Sequence, residues 1–252
     1  MTQVEIIAHR GASADAPENT LAAIQLAWQY GANAAEIDIQ LTADGQLVAI
    51  HDETTLRTGG VDWAVKDRTL AELKTLDVGS WKSAKFVNEQ IPTLAEVLEI
   101  VPPRKRLFIE LKCGAEAIPE LVRVLSAAKN TPDQSVLISL DFDVIVAAKR
   151  AISDRLAFWV TEQSFIGDGV HIDICPSTQE LVDRAKAAGL DGLDIGDRPE
   201  RPDGDIAVIC RSGLRTCVWT VNSVDRAIWL RDQGMQSITT DVPRELLSKL
   251  RS

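Results

Sequence analysis

Apolar and polar positions change their spacing repeatedly along this chain. Short runs rich in Val, Ile, Leu and Ala occupy residues 4–8, 34–40, 107–112, 135–140, 155–160, 192–195, 216–221 and 237–240. Each has the length of a buried strand. Between most of them the pattern turns helical. The stretches NTLAAIQLAWQYG (19–31), AEAIPELVRVLSAAKN (115–130), TQELVDRAKAAG (178–189) and SVDRAIWLRDQG (223–234) carry apolar residues at i, i+3, i+4 and i+7, several with glycine at the helix stop. Repeated strand–helix alternation predicts an α/β fold, a (β/α)8 TIM barrel, with a doubly wound open sheet as the alternative. A chain of 252 residues suits one such domain.

One strand does not fit the alternation. LVAIH, residues 47–51, follows the second strand after only LTADGQ. A parallel crossover needs a dozen or more residues, whereas Asp44-Gly45 is a hairpin turn pair. Residues 47–51 are therefore expected to run antiparallel to the second strand, outside the barrel count. They open a long irregular stretch containing RTGG, DVGSW and KSAKFVNEQIP. This stretch, about residues 47–92, is expected to be an insertion over the barrel mouth of a single domain spanning residues 1–252. Its aromatic residues, Trp63, Trp81 and Phe86, are expected to form a small core of their own.

The formal charge is −10, from 27 basic and 37 acidic residues, with no block of Lys or Arg. Nucleic acid and anionic membranes need a basic footprint and are not expected partners. An anionic small molecule would need a locally cationic site or a metal. The four cysteines, Cys113, Cys175, Cys210 and Cys217, form no CxxC pair and match no zinc spacing, so free thiols in a reducing compartment are expected. MTQVEIIAHRG lacks the basic start and long apolar core of a secretory leader. No apolar run approaches the ~20 residues of a membrane helix. A cytoplasmic protein is the expectation.

Barrel sites form at the C-terminal ends of the strands, and polar residues concentrate there. His9 and Arg10 end the first strand, Glu36 and Asp38 lie near the end of the second, and Glu110 and Lys112 end the third. Trp219 and Asn222 end the seventh, and Asp241 follows the eighth. Side chains alternate along a strand, so Glu36-Ile37-Asp38 puts two carboxylates on one face. Glu110-Leu111-Lys112 repeats the arrangement on the next strand. If these faces point inward, three carboxylates meet where desolvation is costly unless a cation compensates it. Lys112 offers one charge for three acids. A hard divalent cation, Mg2+ or Ca2+, suits oxygen ligands of this kind. The alternative is that some of the acids face solvent or pair with Arg10 and Lys112.

The histidines are His9, His51 and His171. A strand-end histidine is commonly a hydrogen-bonded structural residue. Here His9 ends the first strand and His51 ends the added strand, so both can reach one mouth and supply a general acid and a general base. His171, in GDGVHIDICP, is expected to lie in a loop of its own, outside the site.

The ordered series HRG, PENT, EIDIQLTADGQLVAIHD, RTGG, ELK, WTVN and TTD resembles the glycerophosphodiester phosphodiesterase family, from His9 to Asp241. Its front half is the specific part, and residues 115–205 match loosely. The resemblance implies a (β/α)8 barrel with a small insertion after the second strand, and a divalent metal, usually Mg2+ or Ca2+. By motif match it implies His9 and His51 as the acid–base pair, Glu36, Asp38 and Glu110 as metal ligands, and Arg10 and Lys112 as the groups that hold phosphate. Glu18 of PENT and Asn222 of WTVN match further site positions, and Trp219 matches a pocket wall. The implied reaction hydrolyses a glycerophosphodiester to sn-glycerol 3-phosphate and an alcohol. The nucleophile is either the substrate's neighbouring glycerol hydroxyl, through a cyclic phosphate, or water.

Three rivals stand beside this reading. A phospholipase D-like enzyme acting on lysophospholipids would need an apolar groove, which Trp63, Trp81 and Phe86 could line. A non-catalytic binding module would have no reason to keep both histidines and all three carboxylates. A hydrolase of the amidohydrolase type uses several histidine ligands, and two site histidines are too few.

Overall fold

The first strand, β1 (Glu5–Ala8), pairs in parallel on both of its sides, and that closes the sheet. The computed structural model describes residues 4–162, 177–198 and 203–250. After β1 come α1 (Leu21–Tyr30), β2 (Ala34–Leu41), β3 (Leu47–Ala49), α2 (Leu56–Gly59), α3 (Leu70–Leu73) and α4 (Leu94–Glu99). Then follow β4 (Arg106–Leu111), α5 (Ile118–Ala127), β5 (Ser135–Ser139), α6 (Phe142–Ala151) and β6 (Leu156–Thr161). The last turns of the wheel are α7 (Thr178–Ala187), β7 (Gly192–Gly196), α8 (Asp203–Arg211), β8 (Arg215–Trp219), α9 (Val224–Asp232), β9 (Ser237–Thr240) and α10 (Pro243–Leu250). Leaving β3 aside, the strands join in chain order, β9 pairs with β1, and β1 with β2. This is the (β/α)8 barrel that the alternation predicted, with no open parallel edge.

The two faces of each strand go to different places. Ile7, Ala34, Phe108, Val136, Ile138, Phe158, Val160 and Cys217 pack together as the barrel interior. Their neighbours in sequence, among them Ile6, Ala35, Ile109, Leu137, Trp159 and Val218, pack in the larger cluster shared with the helices. Period-two alternation thus separates an inner core from an outer one. Gly192 matters to the inner core. A Cβ there would stand 2.6 Å from the Phe158 ring, which instead meets Phe108 edge-on at 5.9 Å.

Local chemistry sets the helix ends. Thr20 caps α1 by accepting from Ala23 N, and Gly31 closes it in the left-handed conformation. Ala23, Ile24 and Ala27 form the buried face of α1. Capping boxes at Thr69/Glu72 and Thr93/Glu96 start α3 and α4. Lys74 ties the two together through Glu96 at 2.6 Å.

β3 runs antiparallel to β2, pairing Ile39 with Ala49 and Leu41 with Leu47. The segment after it builds a satellite core of Val48, Ile50, Val65, Leu73, Leu76, Val78 and Ile91, with Trp63 and Leu70 packed against it. Trp81 and Phe86 do not join this core, which corrects the expectation of an aromatic one. Gly79 lets the chain fold tightly on itself: a Cβ there would overlap the Phe86 carbonyl oxygen at 1.9 Å. That turn leaves Trp81 exposed, with its Nε1 donating to Val78 O and the Lys82 ammonium 5.6 Å from its ring. Branched aliphatic side chains fill the small space instead.

No helix among the described residues is long and apolar enough to cross a membrane. Cys113, Cys210 and Cys217 are free thiols. Cys175 and His171 lie outside the described residues.

Candidate active site

A sharp bend after β1 starts the site. His9 N donates to Thr240 O at 2.9 Å, which continues the pairing of β1 with β9. Arg10 and Gly11 then both take positive φ, +54° and +80°. Gly11 has no alternative, because a Cβ would lie 2.5 Å from the backbone of Ala23 in α1. The bend turns the Arg10 backbone N–H onto Glu36 Oε2 at 2.9 Å. Asn19, also left-handed, locks onto Asp38 twice. Its Nδ2 donates to Asp38 Oδ2 at 2.8 Å, and its Oδ1 accepts from Asp38 N at 3.1 Å.

Glu36 and Asp38 on β2 meet Glu110 on β4, where Asp38 and Glu110 are register partners. All three are buried, and each contributes a ligand atom to a group spanning no more than 4.8 Å. Among the described residues, Glu36 Oε1 and Asp38 Oδ1 accept no hydrogen bond. Lys112 Nζ forms ion pairs at 2.7 Å with Glu110 Oε1 and 3.4 Å with Asp38 Oδ1. Arg10 Nε stands 3.1 Å from Asp38 Oδ2. Burial, then the charges of Asp38 and Glu110, push the Glu36 carboxyl well above its ordinary range. Burial also raises Glu110, with Asp38 adding to it. Burial works against the Asp38 charge too, but Arg10 and Lys112 outweigh it and hold that carboxyl low. Two cations thus leave three acids under-compensated. Three converging hard oxygens with too little positive charge beside them fit a hard divalent cation.

Two imidazoles border this triad, close enough for His51 to favour the Asp38 charge and His9 that of Glu110. Each is held by its own carboxylate. His9 Nδ1 lies 2.7 Å from Asp241 Oδ1, and His51 Nδ1 lies 2.7 Å from Asp52 Oδ1. An ionised carboxylate only accepts, so Nδ1 carries the proton in both rings and Nε2 is left for chemistry. Asp241 also accepts from Ser13 Oγ at 3.0 Å and Asn222 Nδ2 at 2.7 Å. Burial disfavours its charge, but the hydrogen bonds from His9, Asn222 and Ser13 prevail and lower its pKa to about 2. Asp52 is lowered to about 2 as well, first by hydrogen bonds from Arg57 and then, against partial burial, by His51.

Each candidate from the sequence has a definite place. Glu18 joins two arginines, accepting from Arg10 NH1 at 2.8 Å and from Arg57 at 2.7 and 2.8 Å. Asn222 clamps Asp241, because its Oδ1 also accepts from Asp241 N at 2.9 Å and Thr240 Oγ1 at 3.0 Å. Trp219 is half-buried against the barrel interior, and its Nε1 finds no acceptor among the described residues. The residues that sequence reasoning passed over are Ser13, Asn19, Asp52 and Arg57. The last three stand inside PENT, AIHD and RTGG, so their motifs were visible but their pairings were not.

Known proteins resemble this chain in sequence and in fold. The chain matches the Glycerophosphoryl diester phosphodiesterase family over residues 9–245. It is 33% identical over 250 residues to a glycerophosphodiester phosphodiesterase of Caldanaerobacter subterraneus subsp. tengcongensis, covering 98% of this chain and 97% of that one. A phosphodiesterase from Oleispira antarctica, solved in complex with the product sn-glycerol-3-phosphate, superposes with a TM-score of 0.86 at 30% identity, covering 98% and 97% of the two chains. A glycerophosphodiester phosphodiesterase from Thermotoga maritima gives a TM-score of 0.80 at 25% identity over 98% of this chain and 99% of that one. With the match spanning nearly every strand end that carries the site, this chain belongs to the glycerophosphoryl diester phosphodiesterase family of hydrolases.

Proposed function

We propose that this enzyme hydrolyses glycerophosphodiesters to sn-glycerol 3-phosphate and an alcohol, with His9 and His51 as the acid–base pair and Glu36, Asp38 and Glu110 as ligands of Mg2+ or Ca2+. One observation carries the reading. Two imidazoles, each with Nδ1 tied to a carboxylate, border a buried carboxylate triad whose ligand atoms lie within 4.8 Å of one another. A general acid and a general base on two sides of one phosphoester is what diester cleavage requires.

In this reading Glu36, Asp38 and Glu110 would hold the cation, which when bound would supply Lewis-acid stabilisation of phosphoryl charge. Arg10 and Lys112 give the phosphate a cationic edge, although the protein as a whole is acidic. One histidine takes the proton of the attacking hydroxyl, and the other gives a proton to the departing alkoxide. Asp241 and Asp52 stabilise the imidazolium each forms in turn. Trp219 walls the pocket, and Glu18 and Asn222 hold Arg10 and Asp241 in place. The insertion of about residues 47–92 covers the mouth and brings His51 to it, within one domain. A cytoplasmic location accords with the free thiols at Cys113, Cys210 and Cys217.

The test is a panel of glycerophosphodiesters with choline, ethanolamine, glycerol and inositol leaving groups. Each is assayed with Mg2+, Ca2+ and Mn2+ after chelation, alongside a long-chain lysophospholipid. We expect metal-dependent release of sn-glycerol 3-phosphate from at least one short diester. No turnover on the panel with any of the metals would refute the proposal, and a strong preference for the lysophospholipid would replace it with a lysophospholipase D activity.

A further inference from the structure

Arg57 stands in the RTGG motif, in α2, and its ion pairs among the described residues are with Glu18 and Asp52 rather than with the triad. It makes two forked contacts. Nε and NH2 donate to Asp52 Oδ2 and Oδ1 at 2.7 and 3.0 Å, while NH1 and NH2 donate to Glu18 Oε2 and Oε1 at 2.7 and 2.8 Å. The turn that carries it is tied down. Buried Thr55 donates from Oγ1 to Val61 O at 2.6 Å and from its backbone N to Trp63 O at 3.0 Å.

We propose that Arg57 is a positioning residue for His51: its fork fixes the plane of Asp52, and Asp52 fixes the tautomer and orientation of the imidazole. This inference rests on the acid–base role proposed for His51. The two His–Asp pairs differ in what holds their carboxylates. Asp241 is fixed by Ser13 and Asn222, so His9 faces a carboxylate with no freedom to rotate. Asp52 is about a third exposed and follows His51 directly in the chain. A carboxylate on a single χ2 torsion beside water turns easily, and a rotated Asp52 no longer holds Nδ1–H. Arg57 does for Asp52 what Ser13 and Asn222 do for Asp241. A bidentate guanidinium suits this role because it sets both carboxylate oxygens at once, which a point-charge ammonium cannot. The same guanidinium holds Glu18, which in turn accepts from Arg10. One side chain of the segment after β3 therefore sets groups on both sides of the phosphate site.

The experiment uses full-length Mg2+-loaded enzyme, Arg57→Met and Arg57→Lys, with two readouts. The first is the 15N spectrum of the His51 ring, which is easily assigned because the chain has 3 histidines. The second is kcat and KM separately. Arg57→Met is expected to move His51 from the pure Nδ1–H tautomer towards a mixture. It should also lower kcat on the order of tenfold to a hundredfold, the scale seen when a group that orients a functional side chain is lost, with any rise in KM smaller than the fall in kcat because Glu18 keeps its bond to Arg10. Arg57→Lys should restore part of both, and its spectrum decides the matter if Arg57→Met fails to fold. An unchanged His51 spectrum in the folded variants would overturn the proposal. A raised KM with unchanged kcat would overturn it too, by making Arg57 a substrate ligand. His51→Ala separates the two readings. Wild-type kcat in that variant would remove the acid–base role, while a tautomer shift in Arg57→Met would still support the positioning contact.

Discussion

His9 and Asp241 meet at 2.7 Å across 232 positions of sequence. One follows β1 and the other follows β9, and these two strands are the pair that closes the barrel. The His9 pair therefore exists only when the ring is complete. Asp241 contributes nothing as a neighbour in sequence and everything as a neighbour in space. It also marks the chemistry that variants can test.

If both histidines act on protons, His9→Ala and His51→Ala should each lower kcat by ~10²–10⁴-fold. The double variant should lose less than the product of the two, because groups acting as a unit are not additive. Asp241→Asn should be impaired as well, since an amide can donate to Nδ1 and favour the wrong tautomer. Steady-state kinetics on a short glycerophosphodiester is the measurement. Wild-type kcat in either alanine variant would end the acid–base assignment.

Removal of metal should separate the triad from the rest of the protein. Mg2+ or Ca2+ should raise the Tm of the wild-type enzyme, by an amount worth about 2.7 kcal/mol at a metal concentration of 100 times Kd. Glu36→Gln, Asp38→Asn and Glu110→Gln should each abolish most of that rise. Glu36→Gln should also stabilise the metal-free protein, because it removes a carboxylate whose charge burial and two neighbours oppose. Calorimetry with and without chelator reads both effects. Equal metal-induced shifts in wild type and variants would place the cation elsewhere.

The nucleophile is testable through the substrate. A glycerol hydroxyl beside the phosphoester attacks intramolecularly, with a large effective molarity when well oriented. A propanediol phosphodiester lacking that hydroxyl should then bind but hardly turn over. A transient cyclic glycerophosphate should appear by phosphorus NMR in a single turnover. Similar kcat for the two substrates would mean that water attacks instead, with one of His9 and His51 activating it.

Gly11→Ala should lose both stability and activity. A left-handed alanine costs about 1 kcal/mol or more, and the added methyl would overlap the backbone of Ala23. The loop cannot relax without moving the Arg10 backbone N–H off Glu36. We expect a lower Tm together with a kcat loss that saturating metal does not repair. A wild-type Tm would show that the bend tolerates a side chain.

Asp194 links pH to stability through a group that the proposed chemistry does not use. It is buried in the barrel, and its Oδ1 has no donor among the described residues. Burial pushes its pKa up to about 7; a contact from Cys217 opposes this and the Glu110 charge adds to it. An unfolded aspartate loses its proton near pH ~4, so between about 4 and 7 folding takes up a proton. Stability contributed by this group is therefore present below about pH 4 and lost as pH rises through about 7. Asp194→Asn should behave like wild type near pH ~4 and gain on it progressively towards pH ~8. Urea unfolding of the chelated proteins at the two ends of that window measures the difference. Parallel curves would refute it.

The sequence alone carried the barrel and the antiparallel strand, and it put two of the three acids on one face, for a simple reason. Strand alternation and helix periodicity are local, and Glu36-Ile37-Asp38 puts two acids on one face whatever surrounds them. The satellite core was not legible. Trp81 looks like core by composition, and only the tight turn at Gly79 sends it outward. Pairing was the larger gap. Asn19 onto Asp38 and Asn222 onto Asp241 each join the loop after one strand to the neighbouring strand or its loop, and Arg57 reaches both Glu18 and Asp52 from the segment after β3. A motif records which side chains are present. Which donor meets which acceptor depends on distances and angles between loops, and those are set only when eight strands share one ring.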